Sequence, residues 1–444
     1  MNNQDKPDFD VIVVGAGLSG LTAAYALRKA GVSVAVLERG EYPGAKNLFG
    51  GVLFSTILNK LIPNFWDDAP IERHIVKRRF VYLTPDTEAG FDFKAEKYNQ
   101  PPYNNTFTVL RAKFDRWLAQ KVEGAGAEIY TRVVVDDFIY ENGKVAGIKA
   151  RGSAEDTYDE LRSNVVICAE GANSMLAEKA GLRSGKSKMS SLNRAVAVKE
   201  ILSLPQEIIE DRFNLSDNEG VAIEYFGDAV KNMVGAGFIY TNKGTISVGV
   251  GCSIDELQHS GIALYDLLDY FKEHPAIRNL VKGAEVLEYS GHLIPEDSYN
   301  SLPSLVSGGL ILVGDAAGLA NGSFYHEITN LAMASGLYAA ETIIEAGKEN
   351  KFSKESLCPY IDKLKNSFVL KDMKEYRNFV NFLRQNKQFI TTYPQILCDS
   401  IVDYFTVTES PKSEIKKGII KQARKKIKIL KSAVDFLKAV KNLP

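Results

Sequence analysis

Cysteine and histidine are scarce in this chain, four and five in 444 residues, and neither is spaced for a metal centre. Cys168, Cys252, Cys358 and Cys398 contain no C-x-x-C pair, which excludes an iron–sulfur ligand set and leaves no disulfide framework. A reducing intracellular compartment suits that usage. His74, His259, His274, His292 and His326 show no metal-ligand spacing, and no Ser-His-Asp set accompanies them, so neither a metal nor a hydrolytic nucleophile is expected. No window reaches the ~18 uninterrupted apolar residues of a spanning helix, so any membrane contact is expected to be peripheral. The opening stretch MNNQDKPDFDVIVVG has no basic leader before its apolar run, and it reads as a strand and not as a secretion signal. Repeats of fixed period and low-complexity linkers are absent too, so organisation has to come from motifs.

What is present is ordinary globular material, 45% apolar and 25% charged, enough for a large core. The net charge of -1 conceals a split. Residues 412–444 hold eleven Lys or Arg against Glu414 and Asp435, so the tail carries +9 and the first 411 residues -10. An acidic body of that size argues against nucleic acid as a partner.

The strongest motif opens the chain. Asp10-Val11-Ile12-Val13-Val14 is a β-branched run that leads into Gly15-Ala16-Gly17-Leu18-Ser19-Gly20, then a helical stretch from Leu21 to Lys29, then Val32 to Leu37 closing on Glu38. That is a complete βαβ unit. Gly15 permits the tight turn, Gly17 lets the backbone approach a pyrophosphate, Gly20 lets helix pack on strand, and the helix N-terminus stabilises phosphate charge. Glu38 is placed to accept ribose hydroxyls and to repel a 2′-phosphate, so FAD or NAD is expected and NADP is not. A second fingerprint for a nicotinamide is missing: Gly235-Ala-Gly237 and Gly249-Val-Gly251 lack the third glycine and a following helix. Electrons therefore have to arrive by another route.

A second segment decides between FAD and NAD. Leu310-Ile311-Leu312-Val313 is strand-like and ends in Gly314-Asp315-Ala316-Ala317-Gly318, with a helical pattern from Asn330 to Ala346. This resembles the G-D motif of the flavoprotein superfamily that includes the aromatic hydroxylases, the geranylgeranyl reductases and the electron transfer flavoprotein:quinone oxidoreductases. The resemblance implies an aspartate on the ribityl hydroxyls and a helix whose positive end faces the flavin pyrimidine. Arg111-Ala112-Lys113-Phe114-Asp115-Arg116-Trp117-Leu118 looks like the superfamily's helix whose leading arginine contacts the cofactor. Val165-Val166-Ile167-Cys168-Ala169-Glu170-Gly171-Ala172-Asn173-Ser174 is similar to its strand followed by D-G-x-x-S, with Glu170 in place of Asp. Cys168 falls within that apolar run and reads as a buried structural thiol.

Closer likeness follows from several loops. Gly44-Ala45-Lys46-Asn47-Leu48-Phe49-Gly50-Gly51 resembles the K-N-x-F-G-G loop of FixC-type proteins, flavoprotein subunits related to electron transfer flavoprotein:quinone oxidoreductase. Ala197-Val198-Lys199-Glu200, Leu204-Pro205 and Ile209-Glu210-Asp211-Arg212-Phe213 are similar to that family's V-K-E, L-P and I-E-x-R-F elements, and Tyr289 to Glu296 to its H-L-I-P-E segment. The likeness covers residues 8 to 350. It implies one FAD, with contacts at Gly15, Ala16, Gly17, Ser19, Gly20, Glu38, Arg39, Lys46, Gly50, Gly51, Arg111, Val134, Glu170, Gly171, Gly314, Asp315 and Gly318. His326, following the G-D motif, is a candidate proton donor. The larger quinone oxidoreductases carry four cysteines for a cluster, absent here, and in FixC-type systems the cluster resides on a ferredoxin-like subunit. The implied partners are electron transfer flavoprotein subunits, a ferredoxin-like iron–sulfur protein and a membrane quinone, in a class of complexes that includes electron-bifurcating ones. Two alternatives stay open, a geranylgeranyl reductase acting on isoprenoid double bonds and an assembly subunit with a structural FAD.

The expected fold is α/β: a Rossmann-type FAD-binding domain (1–75, 106–190, 291–350) interleaved with an antiparallel-sheet substrate domain (76–105, 191–290), plus a C-terminal helical region (351–444). Runs at Ala222 to Phe226, Met233 to Tyr240 and Thr245 to Val250 supply the sheet. In the tail, Ile420, Ala423, Ile427, Leu430, Val434 and Leu437 recur at helical intervals among lysines. Such a basic amphipathic helix suits an anionic membrane, an acidic partner or the chain's own body. The expected location is cytoplasmic, peripheral on the inner face of the cell membrane.

Overall fold

The computed structural model describes residues 6–46, 51–152, 157–188, 190–296, 299–323, 327–426 and 435. Val11, Ile12, Val13 and Val14 are buried on both faces of their strand, as a central parallel strand requires. Phe9–Val14 pairs in parallel with Val34–Glu38 on one side and Asp159–Cys168 on the other; Leu310–Leu312 and Glu128–Thr131 extend the sheet outward, again in parallel. The strand order changes direction between Phe9–Val14 and Asp159–Cys168, so a ligand site is expected beyond their carboxyl ends, at Gly15 and Ala169. The helix after the first strand runs Leu18–Lys29, three residues longer at its start than the sequence pattern suggests, because Gly17 already serves as its N-cap. Helix Ile328–Gly347 lies against it so closely that a Cβ on Gly336 would collide with the Ser19 carbonyl.

The second sheet orders its strands Glu285–Pro295, Arg194–Ser203, Thr245–Ser253, Gly235–Thr241, Glu219–Gly227, Ile71–Leu83, Thr106–Val109 and Val52–Phe54, with Glu88–Lys94 also paired on Ile71–Leu83. Its pairing is antiparallel except between Glu219–Gly227 and Ile71–Leu83, which run parallel. Two short strands, 52–54 and 106–109, come from stretches that the sequence reading set in the first domain. They are too brief to show alternation, and only tertiary pairing makes them strands. One face of this sheet buries Val198, Val248, Val250, Ile239, Ile223 and Tyr225 against helix Leu264–Glu273. The opposite face looks toward the first sheet's ligand end.

Helices Pro359–Asn366 and Phe368–Glu375 close the first core with Tyr360, Leu364, Val369 and Leu370, and the Tyr360 hydroxyl donates to the Leu312 carbonyl at 2.9 Å. Helix Phe379–Gln385 then crosses to the second sheet, packing Phe379, Phe382 and Leu383 on Val234. Arg384 fixes it there, donating to Glu296 Oε2 at 2.7 Å and to Ser253 Oγ at 2.8 Å. Thr392–Phe405 and Lys412–Lys426 form the last described helices and pack on each other. Ile427, Leu430, Val434 and Leu437 of the expected stripe lie outside the described residues. Asp435 is buried and accepts from Tyr393 Oη at 2.6 Å and Gln388 Nε2 at 3.0 Å, so part of the tail docks on the chain's own helices. Among the described residues, no helix is long and apolar enough to cross a membrane.

Candidate cofactor and substrate site

The dinucleotide end is built from backbone. Gly15 sits at φ +103°, a conformation that favours glycine, and a Cβ there would strike the Ala169 carbonyl; a Cβ on Gly20 would strike the carbonyl of Gly15. The helix N-terminus at Gly17 has no side-chain cap and no acidic residue in its first turn, so its amides and positive dipole end suit a pyrophosphate. Glu38 Oε2 accepts from the Ala16 amide at 2.9 Å and Oε1 from the Gly40 amide at 2.7 Å. Those two bonds fix the carboxylate and use two of its roughly four acceptor positions, which leaves room for ribose hydroxyls. The Arg132 amide donates to the Gly40 carbonyl at 2.9 Å, bringing the strand Val133–Glu141, with Val134 half-buried, beside the Glu38 turn. Arg39 and Lys46 are exposed at this rim.

Glu170 behaves differently from the aspartate it replaces. One methylene longer, its carboxylate reaches forward to accept the amides of Leu176 (2.9 Å) and Ala177 (2.8 Å) at the start of helix Met175–Lys179. Burial raises its pKa, and those amides pull it back down. Its backbone, next to Gly15, stays at the ligand end, and Gly171 turns there at φ +83°. Cys168 is fully buried in the strand, and burial pushes its thiol well above the ordinary value.

At the G-D turn, Gly314 takes φ +60° against Ser19, its amide donating to Ser335 Oγ at 2.9 Å, and Gly318 closes the turn at φ +69° by donating to the Asp315 carbonyl at 2.9 Å. Asp315 borders a cavity, and the surrounding protein atoms raise its carboxyl to about 6, with Arg111 acting in the other direction. Arg111 begins helix Arg111–Gly124 and is held by a bidentate pair to the buried Asp115, Nε to Oδ1 at 2.7 Å and Nη2 to Oδ2 at 2.8 Å. Gly44 packs on that turn: a Cβ would come within 2.8 Å of the Arg111 carbonyl. The first helix, the G-D turn and the Arg111 helix thus converge. Gly50 and His326 lie outside the described residues.

Arg111 and Asp315 border a cavity of about 640 Å³ that also runs over the free face of the second sheet and under helix Phe379–Gln385. Pairing explains its shape. Across the middle strands, Ala236, Gly251, Ala197 and His292 form one row, and Phe238, Gly249, Lys199 and Ser290 the next. Small residues make the floor flat, and a Cβ on Gly249 would strike the Phe238 ring. Gly51 lies on Tyr240 so tightly that a Cβ would collide with the ring.

His292 and Lys199 were not singled out as site residues from the sequence, although both stand in the motifs that carry the family likeness. Only the register reveals that they share a face. Burial lowers His292 to about 4, helped by the charges of Arg111 and Lys199. Lys199 falls to about 8 through burial, with Glu288 opposing and Arg111 assisting. The imidazole is therefore neutral at neutral pH, and can donate or accept a hydrogen bond without adding charge.

This carries a stability consequence. Unfolded, His292 charges near its ordinary 6.5, but in the fold not until about 4; the stability tied to its neutral form is present above the first value and lost as pH falls through the second. His292→Gln should therefore lose less melting temperature than the parent on acidification from neutral pH to pH about 4, by circular dichroism. An equal loss would show that His292 is not held neutral.

Residues 8–211 match the FAD binding domain family, and residues 379–443 the ETF-QO/FixC family C-terminal domain. Protein FixC of Azotobacter vinelandii is 41% identical over 437 residues, covering 97% of this chain and 99% of its own length. Protein FixC of Escherichia coli (strain K12) is 37% identical over 433 residues, with 97% and 98% covered. Among solved structures, a geranylgeranyl bacteriochlorophyll reductase-like protein from Thermoplasma acidophilum aligns at TM-score 0.71 and 24% identity over 94% of this chain and 99% of that one. The flavin-dependent brominase Bmp2 aligns at TM-score 0.64 and 17% identity over 94% and 99%. These two likenesses concern the fold alone.

Proposed function

The chain belongs to the FixC family of FAD-dependent electron-transfer oxidoreductases, and from that premise we propose that it receives electrons from an electron transfer flavoprotein and delivers them to a membrane quinone. The observation that carries this reading is the apolar, aromatic-walled cavity of about 640 Å³ that begins at Asp315 and Arg111 and is roofed by the family's own C-terminal domain. Bound FAD supplies the capacity to take up electrons singly and release them as a pair. The chain's residues do the rest. Glu38 and the Gly17 helix end hold the adenine nucleotide half, and Arg111 and Asp315 hold the ribityl region. The neutral His292 and the flat Ala197–Gly251 floor leave room for a planar ring. A ferredoxin-like protein is the natural holder of the iron–sulfur cluster for which this chain has no cysteine set, and an electron-bifurcating assembly is consistent with such partners. The experiment is reduction of the bound FAD by an electron transfer flavoprotein, followed by reoxidation with a quinone.

The cavity would also accept an isoprenoid chain, as a geranylgeranyl reductase needs, and the fold likeness keeps this second reading in view. Saturation of an isoprenoid lipid by the purified protein without partners would favour it.

Membrane contact is proposed at the two last described helices. Leu397, Ile401 and Phe405 recur every fourth residue and, with Val407 and Ile420, stay exposed, Phe405 at 73% and Val407 at 91%. Ile401, Phe405, Lys416 and Ile420 line a shared groove. Lysines beside apolar residues suit an anionic bilayer surface, where each basic residue contributes about 1 kcal/mol. Phe405→Asp combined with Val407→Asp spares Asp435 and its partners, so it separates membrane binding from docking of the tail. The double variant should keep FAD and soluble-quinone reduction but lose sedimentation with anionic vesicles, whereas parent binding weakens with salt. Unchanged vesicle binding would move the membrane surface elsewhere.

A further inference from the structure

One wall of the cavity carries a polar pair that is not among the residues expected to contact FAD. On strand Ile71–Leu83, Arg78, Phe80 and Tyr82 alternate toward the cavity; on the parallel neighbour Glu219–Gly227, Ala222 stands opposite Arg78, Glu224 opposite Phe80 and Phe226 opposite Tyr82. Tyr240 and Phe238 continue the first two rows on the next strand. Arg78 and Glu224 are thus diagonal neighbours on one face, surrounded by aromatic rings. Glu224 is 5% exposed. Arg78 is half-buried and, among the described residues, its side chain has no ion pair and no hydrogen bond; its guanidinium lies over the Phe54 ring, 5.4 Å from the centroid. Phe54 in turn is tied to the start of helix Ile328–Gly347, its amide donating to Thr329 Oγ1 at 2.8 Å. Arg78 is therefore held next to the helix that follows the G-D turn, at the flavin side of the cavity.

A guanidinium in an apolar, aromatic cavity is costly to leave without an oxygen acceptor. A carboxylate beside it discourages an anionic ligand and leaves the pair with no net charge. We propose that Arg78 is the acceptor subsite: it donates to a carbonyl oxygen of a neutral ring seated on the aromatic wall, and Glu224 selects against carboxylate-bearing ligands. This rests on the quinone reading and sharpens it, because a hydrocarbon double bond has no oxygen for Arg78 to hold.

The test uses the FAD-loaded full chain and decylubiquinone, with affinity read from perturbation of the flavin absorbance and KM from flavin reoxidation, both per bound flavin. Arg78→Leu should raise Kd and KM about tenfold or more, and Arg78→Lys should recover part of the loss. Glu224→Gln should gain affinity for decanoate, an anionic probe that the parent binds poorly. If the parent is reoxidised by decylubiquinone and Arg78→Leu shows the same Kd and KM, the subsite is overturned while the quinone reading stands. If the parent neither binds the quinone nor is reoxidised by it, the quinone reading fails and the subsite with it. Should Arg78→Leu not hold FAD, Arg78→Lys and Glu224→Gln decide alone, and parental values in both overturn the proposal.

Discussion

Gly17→Val is expected to yield a folded protein with less than about a tenth of the parent's flavin, since the role proposed for this residue is to let a pyrophosphate touch the backbone. Gly17 adopts φ -83° and ψ -180°, an extended conformation open to any residue, so valine introduces no backbone strain. The fingerprint implies instead that the added methyls would fall where phosphate oxygens approach the uncapped amides of helix Leu18–Lys29. The neighbouring glycines would not make this distinction. A Cβ on Gly20 collides with the Gly15 carbonyl, and one on Gly15 with the Ala169 carbonyl, so substitution at either disturbs the fold itself. The flavin-to-protein ratio, beside an unchanged circular dichroism spectrum, is the measurement. Parental flavin content in Gly17→Val would contradict the placement of the pyrophosphate.

Reduction of the bound flavin should depend on a partner. Rapid hydride transfer requires a nicotinamide held against the ring, and the one dinucleotide fingerprint in the chain is committed to FAD. Gly235 and Gly237, and Gly249 and Gly251, the other closely spaced glycines, lie in antiparallel strands of the second sheet. There they clear space for Phe271, for Phe238 and for the cavity floor. Contrary to the sequence expectation, a helix, Ile254–Ser260, does follow Gly251, but it leaves an antiparallel strand and has no third glycine, so it is not a dinucleotide turn. Reduction by NADH or NADPH alone is therefore expected to be slower by about a hundredfold or more than in the presence of an electron transfer flavoprotein, because nothing positions the nicotinamide. Stopped-flow absorbance under anaerobic conditions reads both rates. Fast direct reduction by NADPH would move the chain's chemistry toward the hydroxylases or lipid reductases.

How far the site was legible depended on whether a residue's role is local. Gly15, Gly20 and Glu38 could be read because a turn, a close approach and a strand-end carboxylate are set within one βαβ unit; the structure has Gly15 in the turn, Gly20 in close contact and Glu38 at the strand end, bonded to the Ala16 and Gly40 amides. Asp315 and Arg111 were legible through motif likeness, and the structure brings them to one cavity although their separation in sequence is large. Lys199, His292, Glu224 and Arg78 were not, because strand alternation says which residues share a face of one strand but not which strand lies beside it. The parallel step between Glu219–Gly227 and Ile71–Leu83 is the clearest case: no turn signal links the two, and without it Arg78 and Glu224 would not meet one wall. Glu170 shows the opposite limit. The motif position was recognisable, but the extra methylene sends its carboxylate to helix Met175–Lys179, a contact that only coordinates reveal.

The central claim, that electrons enter from a partner flavoprotein and leave to a quinone, is tested most directly by one double-mixing experiment. The FAD-loaded protein is first reduced anaerobically by an electron transfer flavoprotein with its own reductant, and then mixed with decylubiquinone while the flavin absorbance is followed. Partner-dependent bleaching of the flavin, with prompt recovery on addition of the quinone, is expected. A flavin that is bleached by NADPH alone and then stays reduced in the presence of quinone would contradict the claim.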